Sequence, residues 1–402
     1  MKCKILLLGF LMGSIPFVGY SQMLPIAQFY AKNDSVMKAM EYEAVYKDRN
    51  YAKLIEINSK IKDNFNRLGE KDKLAMKGMI AEQVYYNNAC WYSLQKKKKS
   101  ALENFKKAVE LGYKNVGHAS VDTDLDFIRK DARFVDLIKK MEKLSFLSIL
   151  RGSGNYVKEE KELPRFVYAT PNDSNLVQVR KFFNLDSIAG SGDEISKIKN
   201  LMYWVHNSIR HDGNSLNPKR KDAIALYQIC KKEGRGINCR MMAIMLNECY
   251  LSMGWKSRYV TCMPVDSTDY DCHVINAVYS NTLDKWIWMD PTFAAYVSDE
   301  KGNLLGLSEV RERLVNGAPL VLNEDANWNH QNQQTKEEYL YNYMAKNLYQ
   351  MECPVEFRYG QESVGGHRSP YIILVPGKYN TYRTKDTKYM TQDADRFWTG
   401  PY

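Results

Sequence analysis

The chain has 402 residues, which is enough for two or three domains that each bury a core. Its hydrophobic fraction of 45% and charged fraction of 26% are those of a globular protein, and no long low-complexity tract interrupts it. The formal net charge of +10 is a mild excess, and its dense run, Lys96 to Lys99, is expected to be a solvated turn between helices. Because nucleic-acid motifs and aromatic interleaving are missing, we expect no nucleic-acid partner.

The first residues predict an export signal. Lys2 and Lys4 form a short basic stretch before the mostly apolar run from Ile5 to Val18, and small residues after that run predict cleavage before Gln22. The run is too short and too interrupted for a good membrane span, although a retained anchor is an alternative. We expect residues 1–21 to be a signal peptide and the mature protein to be exported, periplasmic or secreted, without a membrane span.

The segment from about Leu24 to Leu150 is predicted to be helical, since apolar residues recur at i, i+3 and i+4. Within it, small and aromatic residues stand at the offsets of a helix pair that packs closely: Tyr85, Ala89, Tyr92, Ala101, Phe105 and Ala108. This stretch resembles a tetratricopeptide repeat, although Ala89 replaces the usual glycine and Tyr113 stands where a proline usually closes the pair. We assign residues 22–150 to an all-α, repeat-like domain that binds a protein partner. An unrelated helical bundle is the alternative.

A loop rich in Gly, Ser, Asn and Glu, at about Arg151 to Glu162, separates this domain from the next. Beyond it, helices are expected at about 194–209, 223–232 and 239–253. Strands are expected after them, at about 257–263, 273–279 and 285–289. This order indicates an α+β domain over residues 151–322. Residues 323–402 form a C-terminal extension with a predicted helix at Glu337 to Tyr349. It either packs on the α+β domain or is a separate unit.

The cysteines indicate a free thiol. Cys3 would leave with the signal peptide, and the seven that remain are an odd number, so at least one is unpaired in an exported protein. Without a C-x-x-C pair or an acidic cluster, neither zinc nor calcium has support, and we predict no metal and no cofactor. Cys262 and Cys272 lie on neighbouring predicted strands and either form a disulfide or are both buried and free.

Cys239 is a candidate nucleophile because it follows a glycine-containing turn and opens a predicted helix. At that position the helix dipole and unpaired backbone N–H groups stabilise a thiolate. The same N–H groups can bind the oxyanion of a tetrahedral intermediate. The alternative is a small buried apolar residue, which describes most free cysteines.

His273 begins one predicted strand and Asp290 ends the next, with a turn at residues 280–283. In a hairpin centred between Asn281 and Thr282, the two residues would be direct cross-strand neighbours, with Cβ atoms ~5 Å apart. Asp290 could then fix the tautomer of the His273 ring and stabilise its protonated form. Individually, each also fits a structural role, His273 as a strand-edge histidine and Asp290 as part of a turn.

The order and spacing of several motifs extend this pattern from Ile195 to Thr292. The motifs are LMYWVHNSI at 201–209, GINCR at 236–240, MGWKSRYV at 253–260, HVINAVY at 273–279 and WIWMDPT at 286–292. Together they resemble the transglutaminase-like superfamily, part of the papain-like thiol enzymes. The resemblance implies an antiparallel sheet, with Cys239 as nucleophile, His273 as general base and acid, and Asp290 as the residue that orients it.

The resemblance leaves the second oxyanion donor open. Some relatives place a Trp or Gln upstream of the nucleophile, but no Trp lies between Val205 and Asn238, and Gln228 is a candidate substitute. His206 and His211 either line the cleft or have a capping or surface role. Two tryptophans, Trp286 and Trp288, share a strand face and either flank a substrate groove or pack in the core.

The leading hypothesis is therefore an exported thiol hydrolase that cleaves peptide or amide bonds of a protein or cell-envelope substrate through a thioester. Transfer of the acyl group to an amine, which would crosslink proteins, is a variant of the same chemistry. A catalytically inactive binding module that uses the helical domain is the alternative from a different class.

Overall fold

The computed structural model describes residues 29, 32, 33, 36, 38, 50–267, 269, 271–366, 369–379 and 388–401. The predicted signal peptide, residues 1–21, lies outside the described residues. The chain divides into two compact units, Met1–Ser145 and Phe146–Tyr402. The second unit thus contains both the predicted α+β domain and the predicted C-terminal extension. In the described part of the chain, no helix has the length and apolar character needed to cross a membrane.

The first unit is helical throughout its described elements. These are α1 (Tyr51–Asn66), α2 (Glu70–Met79), α3 (Asn87–Leu94), α4 (Lys98–Glu110), α5 (Val116–Val121) and α6 (Ala132–Leu144), with a π-helical segment at Ile80–Tyr86 and a 3₁₀ turn at Thr123–Leu125. Asn50 caps α1 by accepting a hydrogen bond from the Lys53 backbone N–H at 3.1 Å.

Helices α3 and α4 pack against each other. Four of the six residues that fit the repeat pattern are fully buried in this part of the core, namely Ala89, Ala101, Phe105 and Ala108, whereas Tyr85 and Tyr92 are partly buried against it. The helical nature of the N-terminal region is confirmed. Its relationship to tetratricopeptide repeats stays a prediction.

The second unit combines helices with a sheet. Its described helices are α7 (Phe146–Gly152), α8 (Ser174–Phe183), α9 (Leu185–Ala189), α10 (Glu194–Ser208), α11 (Ala223–Glu233), α12 (Cys239–Ser252), α13 (Leu307–Asn316), α14 (Ala345–Asn347) and α15 (Ala394–Phe397), with a π-helical segment at Glu337–Met344. Its described strands are β1 (Val167–Tyr168), β2 (Ser257–Met263), β3 (His273–Ser280), β4 (Lys285–Met289), β5 (Val297–Ser298), β6 (Val321–Leu322), β7 (Asn327–Trp328), β8 (Asn332–Gln333), β9 (Gln350–Pro354), β10 (Glu356–Phe357), β11 (Tyr371–Leu374) and β12 (Met390–Thr391).

Six of these strands form one sheet with the order β12-β11-β9-β2-β3-β4. Neighbouring strands in it are antiparallel, apart from the parallel pair β11–β12. Strands from residues 323–402 therefore continue the sheet that β2, β3 and β4 begin. The predicted α+β class with an antiparallel sheet is confirmed.

Helix α12 packs on β2 and β3 and forms the centre of the core. All its residues from Met241 to Ser252 are buried, as expected for a helix that is largely apolar all round. Asn276 of β3 donates a hydrogen bond from Nδ2 to the Ala243 carbonyl at 2.9 Å, which fixes the helix against the strand. The N-terminus of α12 is therefore held at a defined place beside β3.

The pairing of β3 with β4 differs from the predicted register by two residues. Asn276 pairs with Met289 rather than Ile287, because the connecting loop has four residues, 281–284, and closes on the pair Ser280–Lys285. The Glu194 carboxylate at the start of α10 holds this loop by accepting hydrogen bonds from Ser280 Oγ and the Thr282 backbone N–H, at 2.7 and 2.8 Å. A shift of two residues preserves the sheet face, so His273 and Asp290 are diagonal rather than direct neighbours.

Candidate active site

Cys239 is the first residue of α12 and is partly exposed. The preceding residue, Asn238, caps the helix by accepting a hydrogen bond from the Met241 backbone N–H at 3.1 Å. The glycine at 236 is required, because a Cβ there would lie 2.5 Å from the Arg210 carbonyl oxygen. This close approach lets the Ile237 backbone N–H donate to that oxygen at 3.1 Å. The thiol is thus held at a helix N-terminus against a neighbouring segment of backbone.

His273 is the first residue of β3 and pairs with Cys262 of β2. Its Nε2 contacts Asp290 Oδ2 at 2.7 Å, and both side chains are buried, with exposures of 1% and 0%. The diagonal placement therefore still brings the imidazole and the carboxylate together. With Nε2 bound to Asp290, Nδ1 is the ring nitrogen left to face Cys239.

The Asp290 carboxylate is held by residues on both sides of the strand end. Its Oδ1 accepts from the Thr292 backbone N–H at 2.8 Å, and its Oδ2 accepts from the Tyr339 hydroxyl at 2.6 Å. Tyr339 lies on the π-helical segment of the C-terminal region, outside the predicted enzyme domain. No sequence pattern links it to Asp290, although it falls on the helix predicted at 337–349.

Aromatic rings cover the His273 imidazole. Phe293 and Tyr343 make edge contacts with it, at centroid distances of 5.5 and 5.3 Å. Their bulk limits the access of water to the ring, so the charges of His273 and Asp290 interact in a weakly polar environment. Tyr343, like Tyr339, is contributed by the segment Glu337–Met344.

The ionisation of the thiol and the imidazole is strongly perturbed. Burial raises the pKa of Cys239, but hydrogen bonding to His211 and His273 outweighs it and lowers that pKa to about 6. Burial lowers the pKa of His273, but the charge and hydrogen bond of Asp290 outweigh it and raise that pKa to about 10. At neutral pH the site can therefore hold a thiolate beside an imidazolium.

A second histidine, His211, also lies at the thiol. Its Nδ1 accepts a hydrogen bond from the Trp328 indole N–H at 3.0 Å, and its backbone is paired with Ile237. His206, by contrast, is buried and contacts the Pro291 carbonyl through Nδ1 and Asn327 Oδ1 through Nε2, both at 3.0 Å. His211 therefore lies beside the thiol, whereas a surface role is wrong for His206, which is buried.

Other residues considered from the sequence lie elsewhere. Gln228 is exposed on α11. Trp288 is fully buried and its indole N–H donates to the Tyr339 hydroxyl at 3.3 Å, while Trp286 packs on the Arg258 guanidinium. Both tryptophans pack in the core, and Trp286 also lines a surface pocket beside α13.

Cys262 and Cys272 are not joined in a disulfide, and both are free thiols. Cys262 is buried, whereas Cys272 is partly exposed, so the alternative of two buried free thiols holds for Cys262 alone. Across the described ranges, no group of three or more His, Cys, Asp or Glu side chains is arranged to hold a metal ion.

Comparison with known proteins gives one family. Residues 183–291 match the transglutaminase-like superfamily, and no curated protein matches the chain. A solved structure described as a "Putative Cysteine Protease" from Cytophaga hutchinsonii matches with 15% identity and a TM-score of 0.25, over 41% of this chain. The chain spans 56% of that structure's length, and the similarity is too distant to bear on function. The family match includes the segments that carry Cys239, His273 and Asp290, and the chain thus contains a domain of the transglutaminase-like superfamily, a family of thiol enzymes.

Proposed function

We propose that this protein is a thiol hydrolase of peptide or amide bonds, with Cys239 as nucleophile, His273 as general acid and base, and Asp290 as the orienting carboxylate. The observation that carries the proposal is the 2.7 Å contact between His273 Nε2 and Asp290 Oδ2 beside a thiol at a helix N-terminus. A buried imidazole with this partner retains its proton at neutral pH and keeps the thiol ionised.

The reaction follows from these protonation states. The Cys239 thiolate attacks the substrate carbonyl carbon, a C–S bond forms, and the carbonyl oxygen becomes an oxyanion. The His273 imidazolium then gives its proton to the leaving amine as the C–N bond breaks, which produces a thioester and a neutral imidazole. Neutral His273 accepts a proton from the water that attacks the thioester, so a carboxylic acid leaves and the thiolate–imidazolium pair is restored. Asp290 remains ionised throughout and holds the ring.

Water is the acyl acceptor in this proposal. An amine that reached the thioester first would give transfer and crosslinking by the same steps. Incubation with casein and a fluorescent alkylamine distinguishes the two, since hydrolysis releases peptides or ammonia without incorporation of the label. Stable incorporation of the amine into casein would show that the protein transfers the acyl group to amines rather than to water.

The cellular location and the partner of this protein are proposed from its sequence alone. The basic and apolar residues before Gln22 support export of the mature protein to the periplasm or the exterior, where protein or cell-envelope substrates would be met. The helical first unit is proposed to bind a protein partner, since its paired helices resemble a repeat used for such binding. Detection of the mature N-terminus in a periplasmic or secreted fraction tests the export.

The primary test is the rate of alkylation of Cys239 by iodoacetamide between pH 4 and 10, followed by mass spectrometry of the peptides. In the wild type we expect the rate to reach half its maximum near pH 6. In His273→Ala the midpoint should move towards the value of a free cysteine, ~8.5. Cys272 is an internal control, because it is partly exposed but burial raises its pKa. A midpoint near 8.5 in both proteins would refute the proposed nucleophile.

A further inference from the structure

The ring of His211 is fixed in one tautomer. An indole N–H is a donor without acceptor capacity, so the Trp328 hydrogen bond of 3.0 Å requires that His211 Nδ1 carries no proton. The ring is then neutral, with its proton on Nε2. The nitrogen directed away from Trp328 is therefore a hydrogen-bond donor, and the thiol of Cys239 is its neighbour.

The backbone of His211 is fixed as well. Asn329 contacts it twice, because its Oδ1 accepts from the His211 N–H at 2.7 Å and its Nδ2 donates to the His211 carbonyl at 3.0 Å. On the other side, the Asp212 N–H donates to the Ile237 carbonyl at 2.8 Å. Ile237 is two residues before Cys239, so the imidazole and the nucleophile are held by one short hydrogen-bonded segment.

Both contacts to His211 come from beyond the family domain. That match ends at residue 291, whereas Trp328 is the last residue of β7 and Asn329 follows it in the turn that leads to β8. Asn329 has a backbone φ of +54°, a conformation that asparagine tolerates better than most residues. The turn that contains this left-handed Asn329 thus brings the side chains of Trp328 and Asn329 to His211.

The remaining neighbouring groups are less suited to donate a hydrogen bond at Cys239. Both nitrogens of His206 are engaged, by Pro291 and Asn327. His273 must deliver its proton to the leaving group and cannot also remain a fixed donor. The first-turn N–H of Cys239 lacks an intrahelical acceptor and supplies one donor.

We propose that the neutral Nε2–H of His211, together with the backbone N–H of Cys239, binds the oxyanion of the tetrahedral intermediate, and that Trp328 is the residue that positions it. This inference rests on the function proposed above. A neutral donor suits this role, since it stabilises negative charge on the oxygen without competing with His273 as a proton source. In the free enzyme the same N–H stabilises the thiolate.

Two reagents separate this role from a simple effect on the thiol. Acylation of Cys239 by p-nitrophenyl acetate passes through an oxyanion, whereas alkylation by iodoacetamide does not. Both rate constants are measured on their high-pH plateaus, where the thiol is fully ionised. In His211→Ala we expect acylation to fall by about 10²–10³-fold and alkylation to change by less than about threefold. His211→Gln, which keeps an N–H donor, should recover part of the acylation rate.

The positioning of His211 by Trp328 is tested separately, through the tautomer of the His211 ring. In protein labelled with ¹⁵N-histidine, the His211 signals, identified by their loss in His211→Gln, should show the proton on Nε2 at pH 7. In Trp328→Phe, which keeps the ring but removes the indole N–H, the signals should become those of exchanging tautomers, and acylation should fall by about tenfold. The exposed His330 on the same turn is the matched control, and His330→Ala should acylate at the wild-type rate.

Failure of the role proposed for His211 can be distinguished from failure of the proposed function. Equal losses of acylation and alkylation in His211→Ala, or a wild-type proton on Nδ1, would overturn the role of His211 while leaving the nucleophile intact. If Cys239→Ala is still acylated at the wild-type rate, the proposed function itself fails.

Discussion

The Tyr339 hydroxyl donates a 2.6 Å hydrogen bond to Asp290 Oδ2, the same oxygen that contacts His273. Tyr339 is fully buried, so this bond is shielded from water. A residue almost fifty positions downstream of the carboxylate thus shares in holding the candidate active site.

Replacement of Tyr339 by Phe tests this bond. It removes one donor from a buried carboxylate, and we expect a loss of about 1.5–3 kcal/mol in the free energy of unfolding. Acylation of Cys239 should fall by about tenfold or less, since the contact between Asp290 and His273 remains. Urea unfolding gives the first quantity and p-nitrophenyl acetate the second. Tyr341→Phe, on the same segment but outside this contact, is the control, and equal stability of the two variants would contradict the prediction.

Asp290→Asn should lower the reaction rate more than Tyr339→Phe does. Without the carboxylate charge, burial dominates and the pKa of His273 should fall from about 10 to below its ordinary value. The thiol then loses its cationic neighbour, and the midpoint of iodoacetamide alkylation should rise above pH 6. We expect hydrolysis to fall by about 10³–10⁴-fold. An unchanged alkylation midpoint in a folded Asp290→Asn protein would show that Asp290 does not charge His273.

The pH dependence of hydrolysis should be broad. Activity requires the thiolate, so it should rise as pH increases through about 6, the pKa of Cys239. Acylation also requires the proton on His273, so it should fall as pH increases through about 10, the pKa of that ring. Initial rates on casein, with stability checked at each pH, give this profile. A single rise near pH 8.5 without a plateau below it would disagree with the ion pair.

Gly236→Ala should disrupt the segment that holds the nucleophile. The added Cβ would lie 2.5 Å from the Arg210 carbonyl oxygen and 2.8 Å from the Asp212 Cβ, so backbone must move. We expect a loss of about 1–3 kcal/mol in the free energy of unfolding and a marked fall in acylation of Cys239. Gly152→Ala is the matched control, because nothing lies within 4 Å of a Cβ at that position. Thermal unfolding of both variants should separate them by several degrees.

The features that could be predicted from sequence are those encoded locally. A glycine-containing turn before Cys239 and an apolar helical pattern after it predict a helix start at this residue, and the helix does begin there. The proximity of His273 and Asp290 followed from two short strands and a turn. The register was wrong by two residues, since the loop length depends on Glu194, which is distant in sequence and binds the loop.

The features that could not be predicted depend on distant contacts. Nothing in the sequence near Trp328 or Tyr339 indicates that they reach His211 and Asp290, because each contact joins residues far apart in the chain, separated by 117 and 49 positions. The spacing of His211 from Cys239 has no helical or strand periodicity, so the sequence does not predict that the two residues meet. In the structure, the backbone of His211 pairs with Ile237, two residues before the nucleophile.

The place of β9 between β2 and β11 has a consequence for any shortened form of this protein. A fragment that stops soon after residue 291 would keep the family domain but leave the end of β2, Thr261 to Met263, as an unpaired edge of a buried strand. Such an edge invites self-association, and the same cut removes the side chains that hold Asp290 and His211. The smallest piece that can be expected to fold with an intact candidate active site is therefore the whole second unit, and any engineered form of this protein should keep residues 292–402 as structural framework rather than as a dispensable tail.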